Sequence, residues 1–331
     1  MKWKDTKVNF WTQLKKEKKG KPILVLAPMA NVTDVAFRHV IAKYGKPDVM
    51  WTEFVSADGL LSPGRENLLY DLKYDANTER PIIAQLFTGH ADKMRDAGKL
   101  IADLGFDGID INMGCPDRSV EKQGGGAAMI KNKDSAKEVI ESARESGLPV
   151  SVKTRIGYNK IEIDTWIRFL LEQHLSALTI HLRTRKEMSD VPAHWDLMKE
   201  IVALRDEVSP ETLIIGNGDV ASIADAKIKA QESGCDGVMI GRGIFGNPWL
   251  FSGKIVSDIS VKERLGVMLE HTKLFEKYLG SVKSFAFMKK HFKAYVSGWD
   301  GAKELRVRLM ETTSAEEVEG IVGEYVDNMA Q

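Results

Sequence analysis

Residues 213–243 read LIIGNGDVASIADAKIKAQESGCDGVMIGRG. The run at 213–217 is rich in Ile and too short for a helix, so it predicts a strand. A helix-like segment follows at 222–233, Gly234 punctuates the return, and 237–240 begins a second strand. The same unit recurs towards the N-terminus, with short apolar runs at 23–27, 49–53, 82–86, 108–112, 150–154 and 177–181. Connections such as 92–104 and 134–146 are long enough for crossover helices. Near-continuous apolar character suits parallel strands buried on both faces. Eight strand–helix units over about 220 residues predict a (β/α)8 TIM barrel.

Nearly every run ends in a polar or special residue: Pro28-Met29, Glu53, Gln85, Asn112, Lys153, His181, Asn217-Gly218-Asp219 and Gly241-Arg242. The carboxyl ends of barrel strands meet at one mouth, where active sites sit, so residues scattered along the chain converge on one pocket. Glycines in the last two of these loops let backbone N–H groups approach a phosphate, and Arg242 adds charge. No strand-linked G-x-G-x-x-G occurs, which argues for a mononucleotide such as FMN over a Rossmann-bound dinucleotide. Lys153 at the mouth reads either as the cation that a reduced flavin needs near its ring edge or as a strand-end salt bridge, and His181 either as a mouth residue or as a core histidine. Cys115, between Gly114 and Pro116, lies in an irregular loop over the mouth; the stretch through Gly124-Gly125-Gly126 reads as a mobile lid. Cys235, entering the last strand, reads as structural.

The chain has 331 residues with 47 Lys+Arg against 47 Asp+Glu, but the charge is unevenly placed. Residues 1–22 carry eight Lys against Asp5 and Glu17, and 262–310 carry eleven basic residues against five acidic ones. Residues 1–22 form a basic arm, with Phe10, Trp11 and Leu14 available to pack on a barrel at 23–252. Helical patterns at 262–279, 283–296, 302–311 and 315–328 predict a separate helical domain at 253–331. Within it Phe292, Tyr295 and Trp299 interleave with Lys289, Lys290, Lys293, Arg306 and Arg308. That pattern fits either an RNA-stacking surface or a solvated helix face over an aromatic core. Two cysteines form no disulfide framework or metal cluster, no apolar run reaches the length of a membrane span, and the expected location is the cytoplasm.

Taken together, these strings resemble the tRNA-dihydrouridine synthase family. They are Ala27-Pro28-Met29-Ala30 with Thr33-Asp34 and Phe37-Arg38, Gln85-Leu86, Asn112-Met113-Gly114-Cys115-Pro116, Gly124-Gly125-Gly126-Ala127-Ala128, Val152-Lys153-Thr154-Arg155, His181 with Arg183-Thr184-Arg185, Asn217-Gly218-Asp219 and Gly241-Arg242-Gly243. The resemblance implies an FMN-bound barrel with a helical RNA-binding domain, reducing uridine in tRNA at the expense of NADPH. It implies FMN contacts at Pro28, Met29, Ala30, Gln85, Lys153, His181, Asn217, Gly218, Asp219, Gly241 and Arg242. Cys115 would be the proton donor, with Asn112 and Arg183 facing flavin or uracil and Lys289, Lys290 and Lys293 on the RNA. No metal, membrane or obligatory protein partner is implied. Asn31 stands where the family often has Gly, and Leu182 where Gly or Ala is usual. Two other readings remain open: an FMN barrel acting on a free small molecule, and a non-catalytic RNA-binding module.

Overall fold

The computed structural model describes residues 9–329. Eight parallel strands follow one another around a sheet: β1 (Ile23–Leu26), β2 (Met50–Ser56), β3 (Ile82–Phe87), β4 (Gly108–Met113), β5 (Val150–Arg155), β6 (Ala177–His181), β7 (Leu213–Asn217) and β8 (Gly237–Ile240). From β2 to β8 each strand pairs with the next in sequence, and β1 pairs with β8. A parallel bridge from Val25 to Val49 closes the ring. The observed strands fall within three residues of the runs read from sequence.

The helices are α1 (Phe10–Lys18), α2 (Val35–Gly45), α3 (Ala57–Leu60), α4 (Arg65–Leu69), α5 (Ala91–Asp103), α6 (Arg118–Lys122), α7 (Lys133–Arg144), α8 (Arg168–Leu171), α9 (Met198–Val208), α10 (Ile223–Ser233), α11 (Val261–Leu279), α12 (Lys289–Tyr295), α13 (Ala302–Glu311) and α14 (Ala315–Met329). Their starts follow local chemistry. Asp34, Ser222 and Ser260 cap α2, α10 and α11 by accepting backbone N–H groups three residues on. Gly234 ends α10 at φ 77°, where a side chain would be strained. No described helix is long and apolar enough to cross a membrane.

Alternate strand residues divide between two cores. Outward residues such as Ile109, Ile111, Val152 and Leu178 pack under the helices. Inward residues Val25, Trp51, Ile83, Ile215 and Met239 form a separate interior cluster with Phe10, Trp11 and Leu14 of α1. The N-terminal arm therefore plugs the barrel at the end opposite its mouth. Asn9 reinforces the plug by donating to Ser176 Oγ at 2.8 Å, and Lys15 and Lys18 pair with Asp236 and Asp48. Lys2, Lys4 and Lys7 of the basic arm lie outside the described residues. Helices α11–α14 build a third cluster that includes Val35, Ala36 and Val40 of α2 and Trp249. Their core thus continues onto the barrel's first helix instead of closing on itself.

Candidate active site

At the mouth the loops after β1, β5, β6, β7 and β8 enclose a cavity of about 480 Å³. Nine of the expected cofactor residues line it: Pro28, Met29, Lys153, His181, Asn217, Gly218, Asp219, Gly241 and Arg242. Ala30 stands exposed one residue beyond Met29, and Gln85 is buried below the cavity. Gly241 brings no side chain to the cavity; an added Cβ there would contact Ala27 at 3.5 Å and Met29 at 3.7 Å. Arg242 projects into solvent and pairs with Asp219 at 3.1 Å. Asn31 has φ 54°, the left-handed conformation that Gly and Asn adopt most readily.

The electrostatics of the wall are cationic. Lys153 makes no ion pair among the described residues, and dehydration followed by the Arg155 charge lowers its pKa to about 8. Burial first, then Lys153, Arg155, Arg183 and Arg242, keep His181 neutral. Its Nε2 faces Arg183 Nη1 at 3.4 Å, and its Nδ1 is buried without a hydrogen-bond partner among the described residues. These are unspent donors and acceptors facing a cavity, which is what a bound polar group would satisfy.

Beneath the cavity a chain of polar side chains crosses the barrel interior. Ser151 Oγ donates to Asp110 Oδ1 at 2.6 Å, and Gln85 Nε2 donates to Asp110 Oδ2 at 2.6 Å. Asn112 Nδ2 donates to Gln85 Oε1 at 3.2 Å, and Asn112 Oδ1 accepts the N–H groups of Gly114 (3.1 Å) and Cys115 (2.9 Å). Burial raises the Asp110 carboxyl to about 6, opposed by its hydrogen bonds from Gln85 and Ser151 and by the Lys153 charge. Gly126 closes the loop from the other side. It sits at φ 58°, and an added Cβ would lie 2.6 Å from the Cys115 carbonyl oxygen. Gly125, Gly126 and Ala127 are buried, and Ala127 N–H donates to Cys115 O at 2.9 Å. Gly125 and Gly126 thus pack against the Cys115 segment, whereas Gly124 and residues 117–119 and 122–123 of the same stretch are exposed. Cys115 itself is half-buried. Desolvation raises its thiol pKa, against a partial opposing pull from Lys153 and Arg155.

A sequence model described as dihydrouridine synthase matches residues 25–330. The chain belongs to the dihydrouridine synthase family. A probable tRNA-dihydrouridine synthase of Staphylococcus aureus (strain MRSA252) is 41% identical over 325 residues, 98% of this chain and 97% of that one. Probable tRNA-dihydrouridine synthase 2 of Bacillus subtilis (strain 168) is 41% identical over 320 residues, 96% of each chain. Among solved structures, a 2-naphthoyl-CoA reductase complex superposes with a TM-score of 0.55 at 9% identity, covering 70% of this chain and 49% of that one. That likeness is one of fold.

The remaining expected site residues are placed unequally. Arg183 is only 2% exposed, its Nε donates to the Val191 carbonyl at 2.5 Å, and its Nη2 pairs with Asp219. It stitches the loop after β6 to the loop after β7. Arg155 is similarly spent on the carbonyls of Gly114, Thr184 and Met188. Arg185 ties Glu121 and the Pro116 carbonyl, bracing the segment that follows Cys115. Lys293 is exposed on α12, whereas Lys289 and Lys290 are half-buried. Lys290 sits 5.5 Å from the Phe287 ring; burial lowers its pKa, while the nearby carboxylates of Glu53 and Asp34 pull it back up. Phe292 and Tyr295 are core residues at 0% exposure, and Trp299 donates to Tyr325 at 2.9 Å. Two of the three interleaved aromatics are therefore the floor of the helical unit and not a stacking surface. Sequence reasoning named no role for Asp110. Its signal was positional: it lies two residues before Asn112, on the same strand face.

Proposed function

We propose that this protein reduces the C5–C6 double bond of uridine in tRNA to dihydrouridine, as a cytoplasmic flavoenzyme using FMN and NADPH. The observation that carries the reading is the clamped Cys115 loop beside a cavity whose wall presents Lys153, without an ion pair among the described residues, and the unpartnered Nδ1 of His181. The residues present fit FMN: Gly241, which brings no side chain to the cavity, and the charge of Arg242 suit the phosphate, and Lys153 and His181 suit the polar edge of a ring. FMN bound there supplies the hydride that C6 of the uracil receives.

The chain's own residues do the rest. Lys153, dehydrated but still cationic at neutral pH, stabilises negative charge at the mouth, where low polarity strengthens the attraction. His181 is neutral and so orients polar atoms without adding a competing charge. Cys115 keeps its proton because burial raises the thiol pKa, and it delivers that proton to C5. Asn112 fixes where the thiol stands by holding two consecutive backbone N–H groups. A uridine within a stacked RNA is out of reach of this recessed site, so the base is everted into it. The exposed basic residues of the helical unit, Lys293 foremost, are proposed to hold the RNA backbone.

The test is stopped-flow oxidation of the NADPH-reduced, flavin-loaded protein by unmodified tRNA, by free uridine and by buffer. Reoxidation by tRNA with formation of dihydrouridine is expected. Reoxidation by the free nucleoside alone would overturn the RNA assignment, and a protein that binds no FMN would overturn the chemistry.

A further inference from the structure

The mouth and the helical unit are joined by a buried ion cluster that the proposed chemistry does not use. Strand β2 carries one extra residue relative to β3, the register passing from Trp51↔Ile83 to Phe54↔Gln85. Such a bulge re-aims a side chain. The re-aimed residue is Glu53, 3% exposed. Its Oε1 accepts the backbone N–H of Asn31, at the tip of the loop whose preceding residues, Pro28 and Met29, line the cavity. Its Oε2 accepts from Lys283 Nζ at 2.8 Å. Lys283 lies between α11 and α12, and its ammonium also pairs with Asp71 of the barrel at 2.6 Å. Its side chain is 13% exposed, so neither partner is easily replaced by water.

The base of the loop is fixed independently. Arg38 Nη1 donates to the Thr33 carbonyl at 2.5 Å and its Nε pairs with Glu79 at 2.6 Å, both side chains fully buried. Met29 N–H donates to Thr33 Oγ1 at 2.9 Å. Glu53 is the side chain that tethers the tip, and Lys283 is the cation that opposes its protonation. Burial drives that carboxyl up to about 7, with the Lys283 charge opposing. Without the ammonium the buried carboxyl takes up a proton and becomes a weaker acceptor for Asn31.

We propose that Glu53 and Lys283 form a positioning pair through which docking of the helical unit sets the Pro28–Asn31 loop in its cofactor-binding shape. The pair touches neither uracil nor flavin; it acts through Asn31. This rests on the proposed flavin site, and the test separates the two. Amide hydrogen exchange is measured on the full chain without flavin, for parent, Lys283→Met, Lys283→Arg and Glu53→Gln, comparing peptides at 28–34 and 150–155. FMN affinity is measured alongside by fluorescence titration.

Lys283→Met should speed exchange at 28–34 about tenfold while 150–155 stays protected. It should also weaken FMN binding about ten- to hundredfold, the range expected for losing one charge-assisted bond. Lys283→Arg should restore both. Glu53→Gln, isosteric and able to keep the fold, should speed exchange at 28–34 if Lys283→Met fails to fold. Unchanged exchange at 28–34, or exchange rising equally in both peptides, would reduce the pair to a general domain clamp and overturn the proposal. If the parent binds no FMN, the flavin reading fails, while the exchange data still decide whether the pair sets the loop.

Discussion

Replacing Asn112 by Ala tests whether the polar chain under the mouth places the acid. The side chain is 6% exposed and makes three hydrogen bonds, two accepted from Gly114 and Cys115 and one donated to Gln85. Removing it leaves two loop N–H groups and the Gln85 carbonyl without partners. At about 1 kcal/mol net for each bond the loss is about 3 kcal/mol, enough to shift a urea midpoint clearly. The functional loss has a different origin. With Gly114 and Cys115 released, the thiol wanders, and a displacement of about 1 Å from reacting geometry costs about a hundredfold in rate. Flavin content and reduction by NADPH should persist, because Asn112 does not line the cavity. The assays are equilibrium urea unfolding and single-turnover oxidation of the reduced protein by tRNA. Asn112→Asp keeps the acceptor for both N–H groups but loses the donor to Gln85 and adds charge beside Asp110, so it should retain more rate than Ala at similar stability. A destabilisation below about 0.5 kcal/mol, the level of an ordinary surface change, together with an unchanged tRNA-dependent rate would refute the reasoning.

Cys115→Ala should leave flavin reduction near normal while dihydrouridine formation falls about 10²–10⁴-fold, the usual worth of one general acid; Cys235→Ala, in the core, should keep activity, and similar behaviour of the two would remove the role assigned to Cys115. Lys153 sets a pH dependence: its ammonium is present below about 8 and lost as pH rises through that value, so FMN affinity should fall between pH 7 and 9.5 in the parent and stay flat in Lys153→Met. Arg242→Glu places a second carboxylate beside Asp219 at the phosphate end and should release flavin on gel filtration, and tight retention would move the phosphate elsewhere. Lys289→Glu with Lys293→Glu should weaken tRNA binding and flatten its log–log salt dependence by roughly 0.7–0.9 per lost phosphate contact, with flavin content unchanged; an unaltered slope and affinity would shift the RNA to another face.

The sequence by itself determined the barrel, because strand and helix follow from near neighbours. The apolar runs at 177–181, 213–217 and 237–240 match β6, β7 and β8 residue for residue, and the pattern at 302–311 matches α13. Backbone preference and hydrophobic period are properties of consecutive residues, so they survive being read in one dimension. The site was legible to the same extent: strand ends must meet at a barrel mouth, and nine of the expected cofactor residues line one cavity. Tertiary structure decided what each side chain does there. Arg183, expected to face flavin or uracil, and Arg242, expected at the phosphate, are the same residue type, yet one is closed off between Val191 and Asp219 and the other projects into solvent. Gly124-Gly125-Gly126 has the composition of a flexible loop, yet Gly125 and Gly126 are buried against Phe87 and the Cys115 carbonyl. Glu53 reads as one more strand end until a bulge turns it towards a lysine 230 positions away. Burial, partner and charge state depend on which remote segments arrive at a place, and that information is absent from any local stretch of chain.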